Sequence, residues 1–307
     1  MEHIVNTLIP IFSLILLGYF FKKIKFPSPD FWVKADKFTY YVLMPALLVY
    51  KVSTSNIDLE ETIDLVSTAL FSISIIFFSL IILNFFIKFN NKAFTSIVQG
   101  GIRFNSYVLL AFVDSVYGDR GLVLAAIVMA FVIPFINVLC ISTFAIYIRD
   151  DKFSFPIFLK TIIKNPLIIA CVVGGLINAS DITLPTVALK FLTILSGAAL
   201  PMGLLSVGVG LEFRYLKSAK KELIASALVK LIYFPFVIYS VGLAFGLSNE
   251  MLAIAVIFGA MPTAVSGYIL ARELGGDVSL MASIITLQTL LCMATLFLII
   301  PNYVIGL

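Results

Sequence analysis

Residues 99–110 read QGGIRFNSYVLL and lie inside an apolar segment that runs from about Ala93 to Val113. Arg103 stands in this segment two residues after a pair of glycines. A charged side chain at membrane depth is costly and is by default a functional candidate. Paired glycines weaken the hydrogen-bond ladder of a helix, and the freed backbone groups cannot face lipid. The stretch therefore predicts an interrupted membrane helix with a cation at the interruption.

The composition of the whole chain indicates a membrane protein. Of 307 residues, 61% are hydrophobic and 12% are charged, and the mean hydropathy is +1.10. A soluble domain of this length could not cover so much apolar surface with polar groups. We expect an all-α polytopic protein with a single membrane transporter domain over residues 1–307. The net charge of +4 comes without a basic stripe interleaved with aromatic residues, so a nucleic-acid partner is not expected.

Ten segments have the length of about 20 mostly apolar residues that a spanning helix needs. They cover about 4–21, 35–54, 63–87, 93–113, 119–148, 158–178, 184–210, 220–246, 249–272 and 279–303. Most Lys and Arg residues fall in alternate loops, as in KKIKFPSPDFWVKADK at 22–37 and RYLKSAKK at 214–221. Because positive loops remain in the cytoplasm, we expect a multi-pass protein of the cytoplasmic (inner) membrane with both termini extracytoplasmic.

The chain contains an internal repeat. Pro10 and Pro45 in the first half correspond to Pro166 and Pro201 in the second at the same offset of 156 residues. NSYVLLA at 105–111 corresponds to SGYILAR at 266–272 at an offset of 161. Each half, about 1–150 and 151–307, holds five segments, and an odd number turns the second copy upside down. The pattern predicts a 5+5 inverted repeat, an arrangement common in secondary transporters.

The repeat places a second helix breaker opposite the first. Gly101 corresponds to Pro262 in GAMPTAVSGY at 259–268, and a proline removes one backbone donor from a helix. Helices 4 and 9 are therefore expected to be broken near the membrane midplane and to cross there. Broken helices of this kind form the substrate site in several transporter folds. The alternative is a pair of kinks that serve only packing.

Two cations are predicted to lie at depth without a comparably deep Asp or Glu, namely Arg103 and Lys230. A guanidinium suits an anionic substrate, although Arg103 could instead hold freed carbonyls and Lys230 could be structural. Polar neighbours at similar depth are candidates either for the same pocket or for satisfying adjacent helices. The candidate substrate-binding residues are Arg103, Asn105, Tyr107, Pro262, Thr263, Ser266, Tyr268 and Lys230, and the candidate ion-coupling residues are Asn137 and Gln288.

Five stretches carry a resemblance to a known family. They are YYVLMPALLVYKV at 40–52, GIRFNSYVLLAF at 101–112, GLLSVGVGLEF at 203–213, LVKLIYFPF at 228–236 and MPTAVSGYILARELGGD at 261–277. The chain resembles the auxin efflux carrier family, which includes plant PIN transporters and bacterial malate and malonate permeases. The resemblance implies the bile-acid sodium symporter-like fold, with a scaffold part and a transport part. Asn105, Pro262 and Tyr268 match the family pattern.

The sequence departs from the family at two positions of the expected site. Ser266 stands where the family often has an asparagine, and Gly101 stands where it has a proline. The resemblance implies a secondary transporter that moves a small organic anion, such as malate, malonate or an auxin-like acid, by alternating access. Its partners would be this carboxylate and membrane lipids, with a homodimer as an open option. We expect no cofactor, and coupling to Na⁺, H⁺ or the membrane potential remains open.

Two other classes of function compete with a carrier. An anion channel or a membrane-embedded ligand sensor would use the same pocket without coupled transport. An enzyme is not expected, because His3 is the single histidine of the chain and lies at its start. Histidine-based metal sites and Ser-His relays therefore lack their usual residues at membrane depth.

Overall fold

The computed structural model describes residues 2–55, 59–149, 163–180, 183–216 and 220–303. Within these ranges every regular element is helical. The helices are α1 (Glu2–Lys23), α2 (Pro29–Phe38), α3 (Met44–Thr54), α4 (Leu59–Ile87), α5 (Asn91–Ile102), α6 (Ser106–Phe144), α7 (Pro166–Ala179), α8 (Thr186–Gly197), α9 (Ala199–Val209), α10 (Lys220–Leu228), α11 (Phe234–Ala244), α12 (Asn249–Ala260), α13 (Ser266–Leu274) and α14 (Val278–Tyr303).

Several of these helices are long and apolar enough to cross a membrane. Among the described residues five such stretches occur, and Pro166–Ala179 and Asn249–Ala260 are shorter apolar helices. The five are Thr62–Ile87, Asn91–Ile148, Thr186–Tyr215, Lys221–Ala244 and Val278–Ile299. Together with the apolar composition, they make the chain a polytopic membrane protein whose described elements are all helical, as the sequence predicts.

Both predicted interruptions are present. The first separates α5 from α6, and Arg103 and Asn105 occupy its ends in extended backbone conformation. The second separates α12 from α13 and contains Pro262. The two interruptions are three and five residues long. The helices before and after each one therefore remain parts of the same segment of the fold.

The predicted break between the fourth and fifth segments is present as a kink at a single residue. The range Ser106–Phe144, labelled α6, consists of two helices that meet at Gly118, whose φ of +58° and ψ of −149° are not helical. A Cβ at this position would meet no atom within 4 Å. The backbone conformation, and not the available space, therefore requires glycine here.

Two prolines predicted inside spanning segments do not break their helices. Pro45 and Pro235 each follow a π-helical turn, Thr39–Leu43 and Val229–Tyr233 respectively. A π turn shifts the hydrogen-bond ladder by one residue, so a proline just after it can lack its backbone donor without a kink.

The second segment also begins earlier than the predicted residue 35, because the Ser28 hydroxyl caps α2 by accepting from the amide of Phe31.

The sixth predicted segment, 158–178, differs at its start. Helix α7 begins at Pro166, where the side chain of Asn165 accepts from two backbone amides of the first turn. Residues 158–162 of the predicted segment lie outside the described residues. Asn165 is a standard N-cap followed by proline at the first helical position, which sets this boundary.

Two closely packed helix pairs lie beside the broken segments. Helix α1 packs against α9, where a Cβ on Gly18 or Gly208 would collide with the backbone of the opposite helix. Helix α3 packs against α7, with Gly174 against Val52. Small residues at such contacts allow backbones to approach closely. The broken segments α5–α6 and α12–α13 pack with α4, α10, α11 and α14, and α6 also contacts α1, α3, α7 and α9.

Candidate functional site

The two interruptions lie against each other. The backbone amide of Asn105 donates to the carbonyl of Pro262 at 2.7 Å. The hydroxyl of Thr263 donates to the carbonyl of Gln99 at 3.2 Å. Backbone groups that the breaks free in one segment are thus satisfied by the other, which holds the two broken segments together at their centres.

A buried glutamine from α14 completes this connection. The side-chain oxygen of Gln288 accepts from the amide of Thr263 at 2.9 Å, and its nitrogen donates to the carbonyl of Gly100 at 3.0 Å. The same nitrogen lies 3.1 Å from the hydroxyl of Ser226 on α10. Gln288 is fully buried. One side chain therefore bonds to the backbone of both interrupted segments and links them to two further helices.

Arg103 caps the C-terminal end of α5 and turns its side chain toward the second interruption. Its backbone amide donates to the carbonyl of Gln99 at 2.9 Å. Its guanidinium donates to the amide oxygen of Asn137 at 3.0 Å and to the hydroxyl of Ser266 at 3.4 Å. The Nε atom has no hydrogen-bond partner among the described residues. The side-chain oxygens that hold this cation are thus both neutral.

The guanidinium lies in the wall of a cavity of about 520 Å³. A cavity of this size accommodates a small ligand. The wall is formed by the two interruptions, by α6, by the turn Thr39–Leu43 between α2 and α3, and by the start of α7. The described lining residues are Tyr40, Tyr41, Arg103, Phe104, Ser106, Ile133, Ile136, Asn137, Lys164, Asn165, Pro166, Leu167, Ala264 and Ser266.

The electrostatics of this cavity favour an anion. Helices α6 and α13 begin at Ser106 and Ser266, both of which line it, and a helix N-terminus carries a partial positive charge. Arg103 and Lys164 add two cationic side chains to the wall. The described part of the lining contains no Asp or Glu.

Comparison with known proteins agrees with this geometry. Residues 152–300 match the family described as "Membrane transport protein". The second half of the chain therefore carries the domain of a transporter family. The "Uncharacterized transporter YfdV" of Escherichia coli is 26% identical over 280 residues, which is 88% of each chain. The "Putative malonate transporter" of Rhizobium meliloti is 22% identical over 310 residues, covering 96% of this chain and 94% of that protein. These matches confirm the resemblance drawn from the sequence.

Three of the predicted site residues of the transporter meet at the cavity, namely Arg103, Asn137 and Ser266. Four others lie at the crossing itself, where they hold backbone groups together and are absent from the described lining. These four are Asn105, Pro262, Thr263 and Gln288. The side chain of Asn105 is an N-cap, since it accepts from the first two amides of α6 beyond Ser106.

The remaining three predicted residues lie elsewhere. The Tyr107 hydroxyl donates to Asp36 at 3.4 Å, and its ring packs against Gly203 of α9. Tyr268 is half-buried in a separate apolar cluster around Met281. Lys230 is fully buried and is not among the described lining residues.

Four polar residues that line the cavity with Arg103 were not predicted from the sequence. Tyr40 and Tyr41 come from the middle of the α2–α3 helix, and Lys164 and Asn165 precede α7. The Tyr40 hydroxyl donates to the side-chain oxygen of Asn165 at 3.5 Å. The Asn-Pro pair at 165–166 is typical of a helix N-terminus. It could have indicated that a helix begins here, so that the preceding residues do not belong to the same spanning helix.

A fifth residue that was not predicted is Gln99, which precedes the glycine pair of the first interruption. Its side chain is fully buried, and both amide atoms lack a hydrogen-bond partner among the described residues. Gly267 of the second broken segment lies beside its side-chain oxygen. Gln99 therefore places unused hydrogen-bonding capacity at the crossing.

Proposed function

We propose that this transporter moves a small organic carboxylate across the cytoplasmic membrane by alternating access, with Arg103 as the anion-binding group. The observation that carries the proposal is the environment of the guanidinium. It lies in the cavity wall with 8% of the residue exposed, and its described side-chain partners, Asn137, Ser266 and the buried thiol of Cys140, are uncharged. An arginine so held retains donors and an uncompensated charge for a carboxylate.

The surroundings of Arg103 support the same substrate class. The N-termini of α6 and α13 point their partial positive charge into the cavity, and Ser106 and Ser266 stand at those ends. The apolar part of the wall, from Ile133, Ile136 and Leu167, suits the carbon skeleton of a small acid. The relative from Rhizobium meliloti that is named for malonate makes malonate the first probe to use.

For the topology, we propose ten spanning segments arranged as a 5+5 inverted repeat with crossing helices 4 and 9. The contact between Asn105 and Pro262 supports this proposal, because the two interruptions correspond through the repeat and also touch in space. The distribution of basic loops supports both termini being extracytoplasmic. In this arrangement α1, α3, α7, α8 and α9 form a scaffold, against which the broken segments and their neighbours move.

Within the site we assign Asn137 and Ser266 as residues that position Arg103. We assign a structural role to Asn105, Thr263 and Gln288. Their hydrogen bonds keep the two interruptions together while the transporter changes conformation. Tyr107 and Tyr268 have no contact with the cavity in this conformation, and a role in substrate binding would require that another conformation bring them there. We propose no cofactor and no catalytic step.

The test is transport of labelled malonate by the purified protein in proteoliposomes, accompanied by thermal-shift binding with a panel of small carboxylates. Hydrogen bonds to charged groups contribute about 1.5–3 kcal/mol. We therefore expect Arg103→Ala to weaken malonate binding about tenfold to a hundredfold. Arg272→Ala is the matched control, because that arginine is exposed on α13 and outside the cavity wall.

Three outcomes would change the proposal. If Arg103→Ala binds malonate and all other carboxylates as the wild type does, the role of Arg103 is wrong. Flux without acceleration by substrate on the opposite side indicates an anion channel, because only a carrier shows counterflow. A thermal shift without any flux indicates a membrane-embedded ligand sensor.

A further inference from the structure

Lys230 is a buried cation outside the cavity. It lies in the π turn Val229–Tyr233 between α10 and α11, and none of its surface is exposed. Its ammonium nitrogen has no hydrogen-bond partner among the described residues. Lysines in membrane helices usually reach the interface or pair with an acid, because an isolated buried charge is costly. Lys230 does neither within the described structure.

Two aromatic rings surround the nitrogen instead. It lies 4.2 Å from the ring centroid of Phe234 on α11 and 5.8 Å from that of Phe258 on α12. A cation over an aromatic face is attracted by the ring quadrupole, but the ring carries no net charge. The charge state of Lys230 therefore depends on whether water reaches its nitrogen.

The same rings connect Lys230 to the substrate cavity. The ring of Phe258 contacts that of Phe104 edge-on, with 4.7 Å between centroids. Phe104 belongs to the first interruption and lines the cavity. Two successive phenylalanine rings, those of Phe258 and Phe104, thus lie between the nitrogen and the cavity. Phe104 belongs to the first interruption and Phe258 lies two residues before the end of α12, so a rearrangement of the crossing would displace both rings.

The charged and titratable groups around Lys230 are few. The thiol of Cys292 on α14 is close enough to interact electrostatically and donates to the carbonyl of Ala260 at 3.6 Å. Arg103 follows α5 but turns toward the cavity. The acids on the neighbouring helices α10 and α12 are Glu222 and Glu250, which lie about two helical turns away along their helices.

The backbone nearby carries partial negative charge. Helices α5 and α12 both end at the crossing, at Ile102 and Ala260, and a helix C-terminus is negative. In carriers with broken helices such ends stabilise the coupling Na⁺ or H⁺. Lys230 brings a positive charge to this region from the chain itself, so a bound sodium ion is not required there.

We propose that Lys230 is the proton-binding site that couples this transporter to the proton gradient. The inference rests on the proposed carrier function. Water that reaches the crossing on one side supplies a proton to the amine, which becomes an ammonium stacked on Phe234. Movement of the broken segments then opens the nitrogen to the other side, where the proton returns to water. The carboxylate in the cavity and the proton on Lys230 travel together, and sodium has no part.

The experiment uses proteoliposomes that contain a pH-sensitive dye, an inward malonate gradient and sodium-free buffer. We expect the wild type to acidify the lumen as malonate enters. Lys230→Met, which keeps the length of the side chain, should admit malonate without acidifying the lumen. Lys230→Arg keeps a permanent charge and should also lose the proton signal. Lys190→Met is the control, since that lysine is exposed on α8.

Several results would overturn the inference. They are malonate entry into wild-type vesicles without acidification, a sodium requirement for that entry, and acidification that persists in Lys230→Met. A folded Lys230→Met protein that has lost malonate counterflow would place Lys230 in translocation instead of coupling. If the wild type moves neither malonate nor any other carboxylate of the panel, the carrier function itself fails and this inference fails with it.

Discussion

The guanidinium of Arg103 donates to the side-chain oxygen of Asn137 across 3.0 Å, and this bond joins the first interruption to the second half of α6. Asn137 is the neutral acceptor that orients the cation without cancelling its charge.

We predict that Asn137→Asp weakens malonate binding more than Asn137→Ala, because an aspartate would pair with Arg103 and compete with the substrate. Binding by thermal shift measures the difference. Asn178→Ala is the control, since Asn178 bonds to the backbone near Ser55, away from the cavity. Equal binding by Asn137→Asp and wild type would contradict the assigned role.

Replacing Gln288 by leucine should destabilise the crossing. The change leaves the amide of Thr263 and the carbonyl of Gly100 buried without their partner. Each such group costs about 1–3 kcal/mol, so we expect a loss of about 2–6 kcal/mol in the free energy of unfolding. Denaturation of the detergent-solubilised protein measures it. Thr289→Val is the control, because the hydroxyl of Thr289 bonds only within its own helix. A loss no larger than that of the control would show that Gln288 does not hold the segments together.

The contact between α1 and α9 should not tolerate added volume. Gly208→Ala places a methyl group against the backbone of Ile15, and overpacking of this kind costs about 1–3 kcal/mol. A lower melting temperature is expected. Gly175→Ala is the opposite case, because a Cβ there meets no atom within 4 Å and alanine favours a helix by about 0.5–1 kcal/mol. The two variants should shift the melting temperature in opposite directions. A neutral Gly208→Ala would mean that these helices are more loosely packed than described.

The ion pair between Lys51 and Asp119 should influence which side of the transporter is open. Lys51 lies ten residues beyond Tyr41 on the α2–α3 helix, and Asp119 follows the bend of α6, so the pair joins scaffold and moving part on the side away from Lys164. Asp119 is largely exposed, and such pairs contribute about 0–1 kcal/mol to stability. We predict that Asp119→Asn leaves the melting temperature nearly unchanged but increases labelling, from the outside, of a cysteine introduced at Ser106.

The control for this prediction is Glu250→Gln. Glu250 pairs with Arg120 within the moving part, so its loss should not release the scaffold. Labelling of the introduced cysteine should rise in Asp119→Asn and remain at the starting level in Glu250→Gln. Equal labelling in both variants would show that the Lys51–Asp119 pair does not hold the outer side closed.

Local chemistry explains which features could be predicted from sequence. The interruptions at Gly101 and Pro262 follow from residues that weaken or remove backbone hydrogen bonds at their own positions. Arg103 is a candidate from the sequence alone, because a charged residue inside an apolar segment is recognisable without knowledge of its spatial neighbours. The break between the fourth and fifth segments also follows from local chemistry, because charged residues and a glycine cluster there. The structure alone shows that this break is a kink at the single residue Gly118.

The cavity itself could not be predicted residue by residue. Tyr40, Asn165 and Arg103 are far apart in the chain and meet because three helical segments take particular rotations about their axes. Those rotations depend on side-chain packing between segments, for example on Gly208 against Ile15. For the same reason Tyr107 turned out to face Asp36, although its position in NSYVLLA suggested the site.

The sequence by itself determined that this chain is a helical membrane protein, where its two broken segments lie and that an arginine stands beside one of them. These properties depend on transfer of side chains into lipid and on hydrogen bonds within a few residues, both of which act locally along the chain. The tertiary structure alone decided that Asn137 and Ser266 hold that arginine, that Gln288 joins the two breaks and that phenylalanines separate Lys230 from the cavity. Such contacts arise from the relative rotation and depth of helices, which no single segment specifies.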